Sequence, residues 1–223
     1  MKIPRLSPLS LLPSRALPLL LLLCLALLPL SVFAEDTPEV LRPPKGAQIA
    51  IVVFQDLQCP QCGRLAPLLA QASRDYKIPL VQHDFPLPQH NWSFEAAVMA
   101  RYFDTHSKDI GNAFRDSVFA HQLEIIPQNL RAFADKFAAE HKITLPFVVD
   151  PDGKLAALVN ADRDLGKTLK IVHTPTIWVV CNKRGGKPFV EVEEPQKNLF
   201  AIIDEMKKEP EPPAKAVSHP HIR

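Results

Sequence analysis

The 223-residue sequence predicts an α/β domain with a central sheet of mixed strand direction. Three observations lead there. A continuous apolar run rich in β-branched residues precedes a helical pattern. A long block of helical periodicity fills the middle of the chain. Two strand-like segments then stand close together near the C-terminal end.

Taken in order, residues 47–54, "AQIAIVVF", have no polar alternation and suit a strand buried on both faces. From Pro60 the pattern becomes helical, with Leu65, Leu68, Leu69, Ala72 and Tyr76 at helical spacing. Residues 78–85, "IPLVQHDF", read as a second strand. In the helical block, Phe94, Val98 and Tyr102 fall on one stripe, Phe114, Val118 and Phe119 on another, and Leu130, Phe133 and Phe137 on a third. A further helix is expected over 154–170. Residues 174–182, "TPTIWVVCN", and 187–194, "KPFVEVEE", read as strands joined by the turn signal "KRGG". A short amphipathic helix over 199–206 closes the pattern. No internal repeat is visible.

The two ends have a different character. Lys2, Arg5 and Arg15 form a positive region before the leucine-dense run "ALPLLLLLCLALLPL", and Val32-Phe33-Ala34 offers small residues for cleavage. This is the build of a secretory signal over residues 1–34. An uncleaved anchor is the alternative, since the run to Ala34 is almost long enough to span a bilayer. Residues 35–46, "EDTPEVLRPPKG", read as a polar leader, and the proline-rich residues 209–223 as a disordered tail. The domain proper is therefore placed at 47–208, with a helical insertion at about 88–142. Loss of the signal removes three basic and no acidic residues and takes the formal charge from +2 to −1. That leaves no basic field for nucleic acid. The processed chain would keep Cys59, Cys62 and Cys181, too few for a disulfide scaffold.

Residues 54–65, "FQDLQCPQCGRL", raise the functional question. Cys59 and Cys62 could be a redox pair, two of four metal ligands, or small buried hydrophobes. A structural zinc site needs four ligands. No second close cysteine pair is present, and His83, His90, His106, His121, His141 and His173 are scattered.

Four features make the stretch from Ile51 to Glu194 resemble the thioredoxin fold with a helical insertion, as in exported DsbA-like oxidoreductases. They are Cys59-Pro60-Gln61-Cys62 after a buried strand, Pro67 in the helix that follows, "DFPLPQHNWSFEAAVMARYF" entering the insertion, and Thr174-Pro175-Thr176 before a strand. The resemblance implies an exported thiol–disulfide oxidoreductase with Cys59 and Cys62 as catalytic residues. It implies Thr174 and Pro175 as substrate-binding residues, the bond between them being cis, and Pro60 and Gln61 as supports of the site. It implies no organic cofactor and no metal. The partners would be exported proteins with cysteine pairs and a further redox partner. Nucleic acid is not implied, and a membrane only if the signal stays uncleaved. Two departures stand out: Val53 occupies the place of the family's buried acid, and Pro-Gln between the cysteines lacks the histidine of the strongest oxidants. A milder oxidant is therefore expected.

The chemistry agrees with that arrangement. A cysteine at a helix start meets unpaired N–H groups and the positive end of the helix dipole, which favour a thiolate. Pro60 suits the first helical position because its missing donor would be orphaned anyway. Cys59 is thus expected to attack and Cys62 to resolve. His173 is read as a surface loop residue, Asp56 as a strand-end polar residue, His90 as a helix-start or packing residue, and Cys181 as a buried small hydrophobe. Two other functions stay open. "PFVVDPDGKLA" has a peroxiredoxin look, although Asp56 stands where that family's threonine belongs. A non-catalytic metallochaperone on the same scaffold is the other.

Overall fold

The computed structural model describes residues 37–182 and 188–208. The expected signal, the C-terminal tail and the "KRGG" turn lie outside the described residues. Strand β1 (Ile49–Gln55) is followed by helix α1 (Pro60–Tyr76) and strand β2 (Leu80–Asp84). Three helices come next: α2 (Ser93–Asp104), α3 (Lys108–Ala120) and α4 (Leu130–Glu140). Helix α5 (Lys154–Thr168), strands β3 (Thr176–Cys181) and β4 (Phe189–Glu191), and helix α6 (Pro195–Lys208) complete the order.

The sheet runs β2-β1-β3-β4, with β1 parallel to β2 and β3 antiparallel to both β1 and β4. Mixed direction is therefore what the apolar patterns lead to. Every residue of β1 is buried, because its two faces feed two separate cores. Ile49, Ile51 and Val53 pack with Leu65 and Leu69 of α1 and Leu199, Ile203 and Met206 of α6. Ala50, Val52 and Phe54 face the opposite way, with Leu41, Phe85, Trp178 and the end of α5. Gly166 lets α5 approach that face: a Cβ there would stand 2.4 Å from the Phe85 ring. Cys181 lies with Ile177 and Val179 in the α1/α6 core, 3% exposed. It is about 16 Å along β3 from Thr176.

A third core lies within the helical block and reaches the cysteines. Met99, Phe103, Phe114, Val118, Leu130 and Phe137 pack in one cluster with Leu57, Cys59, Cys62 and Trp92. The stripes of α3 and α4 fall as the periodicity predicts, apart from a half-buried Phe133. The stripe of α2 does not. Ala96, Met99, Ala100 and Phe103 are buried, whereas Phe94, Val98 and Tyr102 are only half-buried. Helix α2 is packed between α3 and α5. Its alanines permit the close contact, and the Phe94 ring turns instead toward the Arg163 guanidinium of α5, 6.0 Å away. Helix α6 also exceeds the expected 199–206. Pro195 opens it a turn earlier, behind the polar Gln196, Lys197 and Asn198 that masked the periodicity.

Buried charge fastens the block to the sheet. Arg101 donates to Asp84 at 2.6 Å and also to Asp162. Arg115 donates to Asp104 at 2.8 and 3.0 Å and to Asp84 at 3.4 Å. His83 pairs with Asp162 at 2.8 Å. These groups join β2, α2, α3 and α5.

Candidate active site

Cys59 is the N-cap residue of α1, extended at φ −74° and ψ 120°, with Pro60 at the first helical position. Its side chain makes no capping bond to the helix in the dithiol form. The amides of Gln61 and Cys62 are thus the orphan donors of this helix start. The Cys59 thiol donates to the Thr174 carbonyl at 3.3 Å, so the loop before β3 touches the sulfur directly. The Thr174–Pro175 peptide is cis.

The Cys59 pKa is lowered to about 5, and a hydrogen bond from the Cys62 thiol is the largest influence on it. Partial burial opposes it, and the Thr174 hydroxyl and the amides of Cys62 and Gln61 add to it. No cation takes part. The Thr174 hydroxyl is buried and has no hydrogen-bond partner among the described residues, so it remains available to a thiolate. Cys62 behaves in the opposite way: burial pushes its thiol up, and its bond to Cys59 adds to that. Its sulfur accepts from the Asp56 amide at 3.4 Å. One acidic thiol at a helix start therefore stands beside one deep thiol that holds its proton.

Each residue singled out in the sequence has a definite place. Cys59, Cys62, Pro60, Thr174 and Pro175 are brought together. Gln61 points outward, with its carboxamide oxygen accepting from Arg64 at 3.1 Å. His173 is exposed and pairs with the Thr176 hydroxyl at 3.1 Å, not with Cys59. Val53 is fully buried in the α1/α6 core, an apolar site with no proton to relay. The "PFVVDPDGKLA" segment is irregular over 146–153 and its last three residues open α5, with Phe147 93% exposed.

Asp56 does more than end a strand. It is 1% exposed, and both of its carboxylate oxygens are filled. One accepts from the Gln58 amide at 2.7 Å and from the Ser93 hydroxyl. The other accepts from the Leu87 amide and the His90 ring, each at 2.7 Å. Asp56 thereby ties the loop before Cys59 to the start of the helical block, and His90 belongs to that tie. Gln122 went unrecognised in the sequence. Its amide group donates to the carbonyls of Leu57 and Cys59 at 2.8 and 3.0 Å, and it lies over Gly63, where a Cβ would come within 2.5 Å of its oxygen. A lone polar residue in a loop carries no sequence signal for this. Asp56 with "HNWS" could have supplied one, since a buried carboxylate needs several donors.

Among the described residues, no group of three or more His, Cys, Asp or Glu could hold a metal, and no helix is long and apolar enough to cross a membrane.

Comparison with known proteins places this geometry. The chain is 25% identical over 171 residues to the Na(+)/H(+) antiporter NhaA 3 of Salinispora tropica and 25% identical over 188 residues to NhaA 1 of Salinispora arenicola. It covers 24% and 27% of them, so it spans about a quarter of the curated relatives it matches. Among solved structures it resembles Wolbachia pipientis alpha-DsbA1, with a TM-score of 0.59, 19% identity and coverage of 74% of this chain and 88% of that one. Pseudomonas aeruginosa DsbA2 aligns with a TM-score of 0.54, 18% identity and coverage of 81% and 96%. A periplasmic thioredoxin-like protein of Salmonella enterica serovar Typhimurium aligns at 0.57, with 19% identity and coverage of 73% and 86%. At these identities the likeness is one of fold, and the fold is the thioredoxin-like one with a mixed sheet and inserted helices. The family model described as thioredoxin matches residues 44–204, and the chain belongs to that family.

Proposed function

We propose that this protein is an exported thiol–disulfide oxidoreductase that exchanges a Cys59–Cys62 disulfide with cysteine pairs of protein substrates. The observation that carries the reading is the Cys59 thiol: it stands at the N-cap position of α1, faces Thr174 and has a pKa of about 5 beside a neighbour that keeps its proton. That value lies between the thioredoxin-like and strongly oxidising limits of about 7 and 3.5. It supports Cys59 as the sulfur through which mixed disulfides form. Export rests on the charge and leucine pattern of residues 1–34.

In the oxidising direction, a substrate thiolate attacks Cys59 Sγ and the Cys59–Cys62 bond breaks. Cys62 leaves with the electron pair and takes up a proton. The substrate's second thiolate then attacks the substrate sulfur of the mixed disulfide and expels Cys59 as its thiolate. The substrate departs with a new disulfide, and its two electrons remain on the protein's cysteine pair. The reverse sequence reduces a substrate. Thr174 and Pro175 present backbone beside Cys59, where an extended substrate segment pairs as an added strand.

The test is a trapping experiment. Cys62→Ala should accumulate a mixed disulfide at Cys59 with a peptide disulfide, visible by mass spectrometry of the non-reduced protein, whereas Cys59→Ala should trap nothing. Trapping by Cys59→Ala alone would reverse the roles. Absence of exchange in the unaltered protein, with peroxide consumed or metal retained instead, would replace the reading.

A further inference from the structure

A cleft of about 560 Å³ opens beside the loop that touches Cys59. One wall comprises Gln61 and Leu65 of α1 and the run His173 to Ile177. The other comprises the end of β4 and the first turn of α6, residues 191–197. Its size is that of a ligand cleft rather than a packing defect.

The charge of the cleft is one-sided. Glu191, Glu193 and Glu194 line it, and the one cation in its lining, Lys197, is already paired with Glu194 at 3.0 Å. Glu191 and Glu193 are exposed and have no ion pair among the described residues. The remaining titratable group of the wall, His173, is held by the Thr176 hydroxyl. The cleft also has what a bare acidic cluster lacks. Its wall contains Thr174, whose carbonyl meets the Cys59 sulfur and whose buried hydroxyl has no partner. A chain held at Cys59 therefore runs on into a groove with two unanswered carboxylates.

We infer that the cleft selects substrate segments that carry lysine or arginine next to the reacting cysteine. The inference rests on the exchange reading proposed above and adds substrate charge to it. Two carboxylates beside a partly apolar groove favour a cationic segment and disfavour an acidic one, and they act on encounter as well as on the bound state. The occupant is an extended polypeptide. The wall offers strand ends and the Thr174 backbone, and the long stems of Lys and Arg can lie on the half-exposed Pro175 while their charges reach the glutamates.

The experiment compares three cysteine peptides with the oxidised full-length protein, bearing two lysines, two alanines or two glutamates beside the cysteine, each placed before and after it. The second-order rate of mixed-disulfide formation should be about tenfold higher for lysine than for glutamate peptides at low salt. The gap should shrink in 0.5 M salt, where screening acts over only a few ångströms. Glu191→Gln with Glu193→Gln should remove most of it while leaving the alanine peptide's rate unchanged. Equal rates for lysine and glutamate peptides, or a preference that survives in the double variant, would overturn the inference. Binding of the same peptides with serine in place of cysteine, read by fluorescence anisotropy, separates the two levels. A lysine preference in binding without any exchange upholds the cleft and sinks the oxidoreductase reading. Exchange with no charge preference in rate or binding does the reverse.

Discussion

Asp56 and Asp84 stand at the ends of neighbouring parallel strands, each 1% exposed, and the protein neutralises them in opposite ways. Asp84 is held by guanidinium groups: Arg101 and Arg115 both donate to one of its oxygens, and the other oxygen has no partner. Asp56 meets no arginine or lysine among the described residues. Two amides, a hydroxyl and a histidine ring fill its oxygens. The difference matches what each region does. Ion pairs with long reach bridge β2 to three helices, where only rigidity is at stake. Beside Cys59 a fixed cation would favour a thiolate whatever the substrate did. There the protein uses short dipoles instead, and the acidity of Cys59 comes from the Cys62 thiol, Thr174 and two amides.

The largest effect expected from this contrast is on stability at the Asp84 end. Burial opposes the charge of Arg115, but Asp84 and Asp104 overrule it and raise its pKa. Arg115→Met should remove the buried cation shared by Asp84 and Asp104, leaving Asp84 to Arg101 and Asp104 to Arg101 and the exposed Lys108. It should cost about 3 kcal/mol of unfolding free energy, the low end of what breaking a buried pair costs. Urea denaturation measures the loss. Thiolate absorbance of Cys59 should still titrate near 5 in this variant. A loss below about 1 kcal/mol would show that the cluster is decorative, and a shifted Cys59 would show that the two regions are coupled.

Asp56→Asn should cost less, about 1–3 kcal/mol, because the amide keeps one acceptor oxygen and turns an N–H group toward two of the former donors. Its more telling consequence is kinetic. The loop that carries Gln58 and the Asp56 amide beneath Cys62 would loosen, so mixed-disulfide resolution should slow more than mixed-disulfide formation. An equal slowing of both steps would reduce Asp56 to a purely structural support.

The contrast also explains which parts were legible in the sequence. Strand β1, helix α1 and the Cys59–Cys62 spacing are local patterns, and each is visible within about ten residues. Pro175 marks the facing loop because a proline before a buried strand forfeits a ladder bond. Three of the four partners of Asp56 lie 31 to 37 residues away, and the two arginines that hold Asp84 lie on different helices. Such satisfaction is a property of the folded interior, and no periodicity encodes it. For the same reason α2 was misaligned: alanine faces that admit a neighbouring helix look weaker in sequence than the aromatic stripe beside them. Gln122, bonded to carbonyls 63 and 65 residues earlier, is beyond any local pattern.

The smallest expected effect sharpens the comparison at the sulfur itself. The Thr174 hydroxyl is a buried side-chain donor beside Cys59 with no hydrogen-bond partner among the described residues in the dithiol form, and it lowers the Cys59 pKa. Thr174→Val keeps the shape and removes that donor, so the thiolate midpoint should rise from about 5 by roughly one pH unit. The linkage follows from the sign of the shift. A thiol whose native pKa is depressed stabilises the reduced fold above its unfolded value of 9.0, and that stabilisation is lost as pH falls through about 5. The reduced protein should therefore gain stability over the oxidised protein between pH 5 and 9. In Thr174→Val that gain should begin at higher pH and end smaller, while the oxidised form, which has no thiol to ionise at this position, should change little with pH. Urea midpoints of both redox forms across that range measure it. A Thr174→Val midpoint still at 5, with the same pH profile, would mean that the Cys62 thiol and the helix amides alone set the acidity of Cys59.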